Sequence, residues 1–209
     1  MNVAVVAYDG FNELDVFANL HILNRASRVR TEPSLTAQLT CASETVRTMY
    51  GVEIARQKPL SFARSADAVI IGSGGTLDAI DDAYFMSELR LDPSRQLIAS
   101  QCSGALILAM LGLLRDRPAC TDNVFRPRVE AQGVKVLDQP FHATGNIATA
   151  GGCLSSAHLS CWVILRLLGT EVAEQTLRTV APVGLEEEFA SEITNSVERH
   201  LRDGLEEAK

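Results

Sequence analysis

Apolar positions fall along this chain in two rhythms. Unbroken runs at residues 3–7 (Val-Ala-Val-Val-Ala), 68–71 (Ala-Val-Ile-Ile) and 97–99 (Leu-Ile-Ala) are too continuous for a strand with one wet face. They suit strands covered on both faces, as in a parallel sheet. Residues 36–41, Thr-Ala-Gln-Leu-Thr-Cys, alternate and predict another strand. Residues 46–50 and 52–55 predict a hairpin about Gly51. Residues 134–137 and 146–149 predict two further strands, with His142 in the loop between them. Elsewhere the apolar spacing lengthens to the helical period. Helices are predicted from about Leu14 to Ala26, over 105–110, partly over 124–132, over 154–168, over 171–180 and over 185–201, with a fraying tail beyond. Gly169 and Pro182 supply two of the stops, one by its freedom at positive φ and the other by its missing N–H. Strands alternating with helices indicate one α/β domain over residues 1–209, built on a mostly parallel sheet.

Charge narrows the partners. Nineteen basic residues against 26 acidic ones give a net charge of −7, which argues against a general nucleic-acid surface. The densest basic stretch, 115–128, is broken by Asp116 and Asp122 and reads as a solvated face. No apolar run approaches the ~20 residues of a membrane span, and the first residues lack the basic region of a secretory leader. The five cysteines (Cys41, Cys102, Cys120, Cys153, Cys161) are odd in number and contain no CxxC. Free thiols in a reducing cytoplasm are therefore expected, with neither a disulfide framework nor a metal site.

The chemistry concentrates where the 97–99 strand meets the following helix. The sequence there is Ser100-Gln101-Cys102-Ser103-Gly104. Small residues on either side of a nucleophile permit a sharp strand-to-helix turn, the arrangement of a nucleophile elbow. A cysteine at a helix N-terminus can be reactive, although most free cysteines are small buried hydrophobes. Two other loops also follow strands. Residues 72–76, Gly-Ser-Gly-Gly-Thr, form a glycine-rich turn able to offer backbone N–H groups to an anion or simply to connect strand and helix tightly. Glu13 and Asp15 open the first predicted helix, where carboxylates ordinarily complement its dipole. Neither a Walker A pattern nor GxGxxG is present. In open parallel sheets ligands bind beyond the strands' C-terminal ends, so these three loops can converge.

With Glu13-Leu14-Asp15, Ile71-Gly-Ser-Gly-Gly75, Gln101-Cys-Ser-Gly-Ala105, Gly112-Leu-Leu114 and Asn146-Ile-Ala-Thr-Ala-Gly-Gly152 in hand, the chain resembles the DJ-1/ThiJ/PfpI family. This family belongs to the class I glutamine amidotransferase-like superfamily, and the resemblance spans roughly residues 2 to 180. It implies a flavodoxin-like fold, a homodimer, Cys102 as nucleophile and Asp15 as its acidic neighbour. It also implies an oxyanion site formed by Gly75 and the Ser103 N–H. Ser103 stands where the isonitrile hydratase-like branch often carries threonine. Asp122 stands where many members carry histidine, so a Cys-His dyad is not expected. Asp122 and His158 are retained as candidates for supporting positions, His158 because it opens the helix after Gly151-Gly152. The other histidines, His21, His142 and His200, read as structural or surface residues. The expected activity is a cofactor-free reaction of a small electrophile at Cys102, with hydration of isonitriles to N-substituted formamides foremost. A glyoxalase- or amidase-like reaction is the alternative, as is a non-enzymatic redox or metabolite sensor.

Overall fold

The computed structural model describes residues 1–76 and 78–206; residues 77 and 207–209, including the end of the predicted tail, lie outside the described residues. The first half of the chain gives β1 (Asn2–Val6), α1 (Glu13–Val29), β2 (Thr36–Cys41), β3 (Thr45–Arg47), β4 (Glu53–Ala55), β5 (Lys58–Pro59), β6 (Ala68–Ile71) and α2 (Ala83–Glu88). The second half gives β7 (Leu97–Gln101), α3 (Gly104–Met110), α4 (Arg126–Glu130), β8 (Phe141–Thr144), β9 (Ile147–Ala150), α5 (Ser156–Leu168), α6 (Thr170–Arg178) and α7 (Glu186–Glu206). A seven-stranded sheet runs in the order β5-β2-β1-β6-β7-β9-β8. Every neighbouring pair is parallel except β8–β9. The fold is the flavodoxin-like α/β sandwich expected from the sequence.

The unbroken apolar runs are explained by two cores, one on each face. Val3 and Val5 of β1 point into the core shared with α1 and α5, together with Leu23 and Trp162. Ala4 and Val6 point into the opposite core, with Phe85, Leu106 and Ile107. Each large side chain buried this way contributes roughly 1.5–3 kcal/mol, so a polar residue at any of these positions on β1 would be costly. The 46–55 hairpin forms as β3 and β4, outside the main sheet, and Gly51 takes φ +89° in its turn. Among the described residues, no helix is long and apolar enough to cross a membrane.

The sequence reading is corrected at the 134–148 region. Residues 134–137 are not a strand: Val136 makes one isolated bridge to Ala119. The backbone bonds there serve Ala119 alone, whose N–H goes to Lys135 and whose carbonyl takes the Leu137 N–H. His142 is not in a loop but on β8, opposite Thr149. The sheet ends instead at β8, which pairs with β9. Helix α7 also runs past the predicted end at Leu201, to Glu206.

Candidate active site

The elbow is built by close packing. Cys102 follows β7 directly and sits at φ +53°, a left-handed conformation that costs a non-glycine residue about 1–3 kcal/mol. Its neighbours hold it there. The Cys102 N–H donates to the Ala150 carbonyl at 2.7 Å, and the Thr121 hydroxyl donates to the Cys102 carbonyl at 2.9 Å. Gly104 lets α3 press against β6, since a Cβ there would stand 2.7 Å from the Gly72 carbonyl oxygen. The Ser103 hydroxyl both donates to the Gly74 carbonyl and accepts the Gly74 N–H, each at 3.1 Å. The elbow and the glycine-rich loop are thereby tied into one unit.

Asp15 reaches this unit from α1. Asn12 caps that helix by accepting the Leu14 N–H at 3.0 Å, which sets Asp15 in the first turn. The dipole-complementing role predicted from position describes a solvated carboxylate, but Asp15 is fully buried. The Ser73 hydroxyl donates a short hydrogen bond to Asp15 Oδ2. A carboxylate oxygen of Asp15 and the sulfurs of Cys102 and Cys153 all lie within 4.8 Å of one another. The Cys102 thiol donates to Asp122 Oδ2 at 3.4 Å, while Asp122 Oδ1 accepts the Val124 and Phe125 N–H groups. Asp122, standing in place of the histidine that the resemblance implies for many members, thus contacts the thiol directly.

The charges of the site follow from burial and acidic company. Burial raises the Asp15 pKa, an effect opposed by the hydrogen bonds from Ser73 and Cys153 and reinforced by Asp122. The Cys102 thiol is pushed far above its ordinary value, first by burial and then by the negative charges of Asp15 and Asp122. Burial and acidic company therefore work against charge on both the Cys102 thiol and Asp15, although the helix N-terminus alone would argue for a thiolate.

Other predicted positions fare differently. The Gly75 N–H donates to the Gly10 carbonyl at 3.2 Å, so this expected oxyanion donor is engaged by the loop that follows β1. Ser103 is in place, but its hydroxyl serves the glycine loop. His158 does not join the group around Cys102. Its ring stacks on Phe141 at 6.0 Å, and burial, with His200 nearby, lowers its pKa to about 4. Cys153 was seen in the sequence only as one more free thiol. The register that puts Ala150 of β9 beside Gln101 of β7 carries Cys153, three residues later, to the elbow. Asn12 Nδ2 donates to its sulfur at 3.4 Å. Asp15, Cys102 and Cys153 are the residues that could hold a soft cation, one protein donor short of a closed tetrahedral set.

Residues 1–161 match the DJ-1/PfpI family, and the chain belongs to it. Among curated proteins none matches the chain. Solved structures share the fold at low identity. Oxidized DJ-1 of Toxoplasma gondii is 21% identical over 86% of this chain and 97% of its own, with a TM-score of 0.72. A ThiJ/PfpI family protein from Pseudomonas syringae is 19% identical over 95% of this chain and 89% of its own, at 0.74. An AraC family transcriptional regulator from Pseudomonas putida is 14% identical over 86% of this chain and 99% of its own, also at 0.74.

Proposed function

We propose that the protein is a cysteine-dependent enzyme that hydrates isonitriles to N-substituted formamides. The observation that carries this reading is the pairing of a buried carboxyl of raised pKa with an elbow thiol, without histidine. An isonitrile suits such a site because the first step consumes a thiol and a proton donor. Asp15 delivers a proton to the terminal carbon, the Cys102 sulfur bonds to that carbon, and the thiol proton replenishes the carboxylate. The sum is R–N≡C plus Cys–SH giving R–N=CH–S–Cys. Asp15 then gives its proton to the imine nitrogen and takes one from water as the water oxygen adds to the same carbon. Collapse breaks the C–S bond, returns the proton to sulfur and releases R–NH–CHO. No electrons leave the system and no cofactor is required.

The surroundings support an apolar substituent R. A groove of about 880 Å³ runs between α1 and α5, lined by Leu14, Phe17, Ile22, Leu154 and Phe189, with Cys153 in its wall. A homodimer and a cytoplasmic setting belong to the same proposal.

The test is direct. Aliphatic and aromatic isonitriles are incubated with purified protein, and formamide is followed by NMR and mass spectrometry. Turnover is expected in the wild type, with a drop of at least about a thousandfold in Cys102→Ala. Unchanged turnover in that variant, or no formamide from any isonitrile while Cys102 still reacts with an alkylating agent, overturns the reading. In the second case α-oxoaldehydes are the next substrates to try.

A further inference from the structure

We infer that Cys153 and Cys102 form a reversible disulfide when the protein meets a hydroperoxide, making Cys153 a redox partner of the nucleophile. The sulfurs lie within 4.8 Å of each other, with Asp15 beside both. A disulfide needs about 2.05 Å, so one side chain must swing by a few ångströms. The Cys102 backbone is fixed by its bonds to Ala150 and Thr121 and cannot supply that motion. Cys153 can. It starts a short 3-10 turn, Cys153–Ser155, immediately after Gly152, which sits at φ +81° with nothing within 4 Å of where a Cβ would be.

The two thiols are differently equipped. Cys153 is partly exposed, and the Asn12 side-chain N–H on its sulfur works towards thiolate, against burial and the neighbouring Asp15 carboxyl, which raise its pKa. Cys102 is buried and donates its S–H to Asp122, a contact that favours thiol. An oxidant therefore reaches Cys153 first. The Cys153 thiolate attacks the hydroperoxide, ROOH: an S–O bond forms, the O–O bond breaks, and with one proton the products are Cys153–SOH and ROH. The Cys102 sulfur next attacks the Cys153 sulfur. The S–O bond breaks, and the leaving hydroxide takes the Cys102 proton, relayed through the adjacent carboxylates, to depart as water. A dithiol reductant returns both thiols by exchange. While the bond stands, Cys102 can neither add to an electrophile nor proceed to sulfinic acid. Cys41, Cys120 and Cys161 are buried and stand outside the Asp15–Cys102–Cys153 group, so they serve as internal controls.

The experiment is peptide mapping of wild-type protein after hydrogen peroxide, with free thiols trapped by alkylation. The expected product is a Cys102–Cys153 cross-linked peptide pair, lighter by about 2 Da and lost on treatment with dithiothreitol. In Cys153→Ser that pair is absent, and Cys102 gains about 16 and then 32 Da or stays unmodified. Cys153→Ala, checked by circular dichroism, gives the same readout should the serine disturb packing. A wild type in which either cysteine accumulates oxygen without cross-linking overturns the inference. So does a disulfide mapped to another pair, or no cross-link at any peroxide dose that oxidises the methionines. Because the readout is a mass, failure of the isonitrile screen leaves it standing, and its failure leaves the isonitrile reading standing.

Discussion

Two clusters of titratable side chains, one around the buried Asp15 and Cys102 and one of half-buried histidines, differ in their equipment for chemistry. At the elbow, Asp15 and Cys102 are surrounded by groups that can give or take a proton: Ser73, Asp122 and Cys153. Around Phe141, by contrast, His158 and His200 pack against the aromatic ring, and His142 meets His200 edge-on at 5.0 Å. Histidine is the residue most often sought in a catalytic site. Here burial holds both His142 and His158 neutral, with pKa values lowered to about 4. The contrast teaches that a titratable residue becomes useful through its partners: the histidines pack on Phe141 and on one another, with His142 also meeting Gln139 and Thr144, whereas the acidic cluster sets a carboxyl beside two thiols.

The sharpest way to break this contrast is Asp15→Asn. The amide still accepts from Ser73 but can neither donate nor take the catalytic proton. Formamide formation is expected to fall about 10²- to 10⁴-fold. Stability should move the other way. The folded-state pKa of Asp15 is raised above its ordinary 3.8, so its ionisation opposes folding as pH climbs past that value. Thermal melts at pH 7 are expected to place Asp15→Asn at or above the wild type. A melting point several degrees lower would mean that the carboxylate stabilises the fold.

A smaller effect is expected from Asp122→Asn, which can retain the caps on Val124 and Phe125 while removing a negative charge beside the thiol. Cys102 alkylation at neutral pH should quicken by about tenfold as its pKa comes down, read from the pH profile of the alkylation rate. An unchanged profile would show that burial and Asp15 set the thiol without Asp122.

His158→Phe should do least. Turnover is expected to stay within about twofold of wild type, since the ring lies in the other cluster. A base whose folded pKa is depressed keeps its full stabilisation above its unfolded value of 6.5 and loses it as pH falls towards 4. The variant should therefore show a shallower fall in melting temperature between pH 6.5 and 4. A large loss of turnover at pH 7 would place His158 in the catalytic machinery after all.

What the sequence made legible follows from locality. The elbow, the glycine loop and the two-faced strands each rest on residues within a few positions of one another, and β2 and β6 have the limits the apolar pattern marks. The misreadings are long-range. Val134-Lys-Val-Leu137 has strand propensity, but its one backbone bridge among the described residues is to Ala119, and its valines serve the core. The β8 segment, Phe-His-Ala-Thr, alternates buried and half-buried positions between Pro140 and Gly145, a pattern overshadowed by the more apolar run before it. Asp15 is singled out by the family resemblance and not by its position, because a first-turn carboxylate does not advertise complete burial. Cys153 depends on β9 lying beside β7, a fact of topology that no local motif carries.

The glycine contacts beneath the elbow have a practical consequence. With Gly104 pressed to the Gly72 carbonyl and Gly72 itself pressed to Val16 and Val6, the reactive centre is mechanically an anvil, set where it is by backbone touching backbone. Redesign cannot move it. The adaptable face is the rim, where Leu154 stands 83% exposed next to Cys153. Libraries that vary this lip can retune which molecules reach the sulfur, while the anvil keeps its shape.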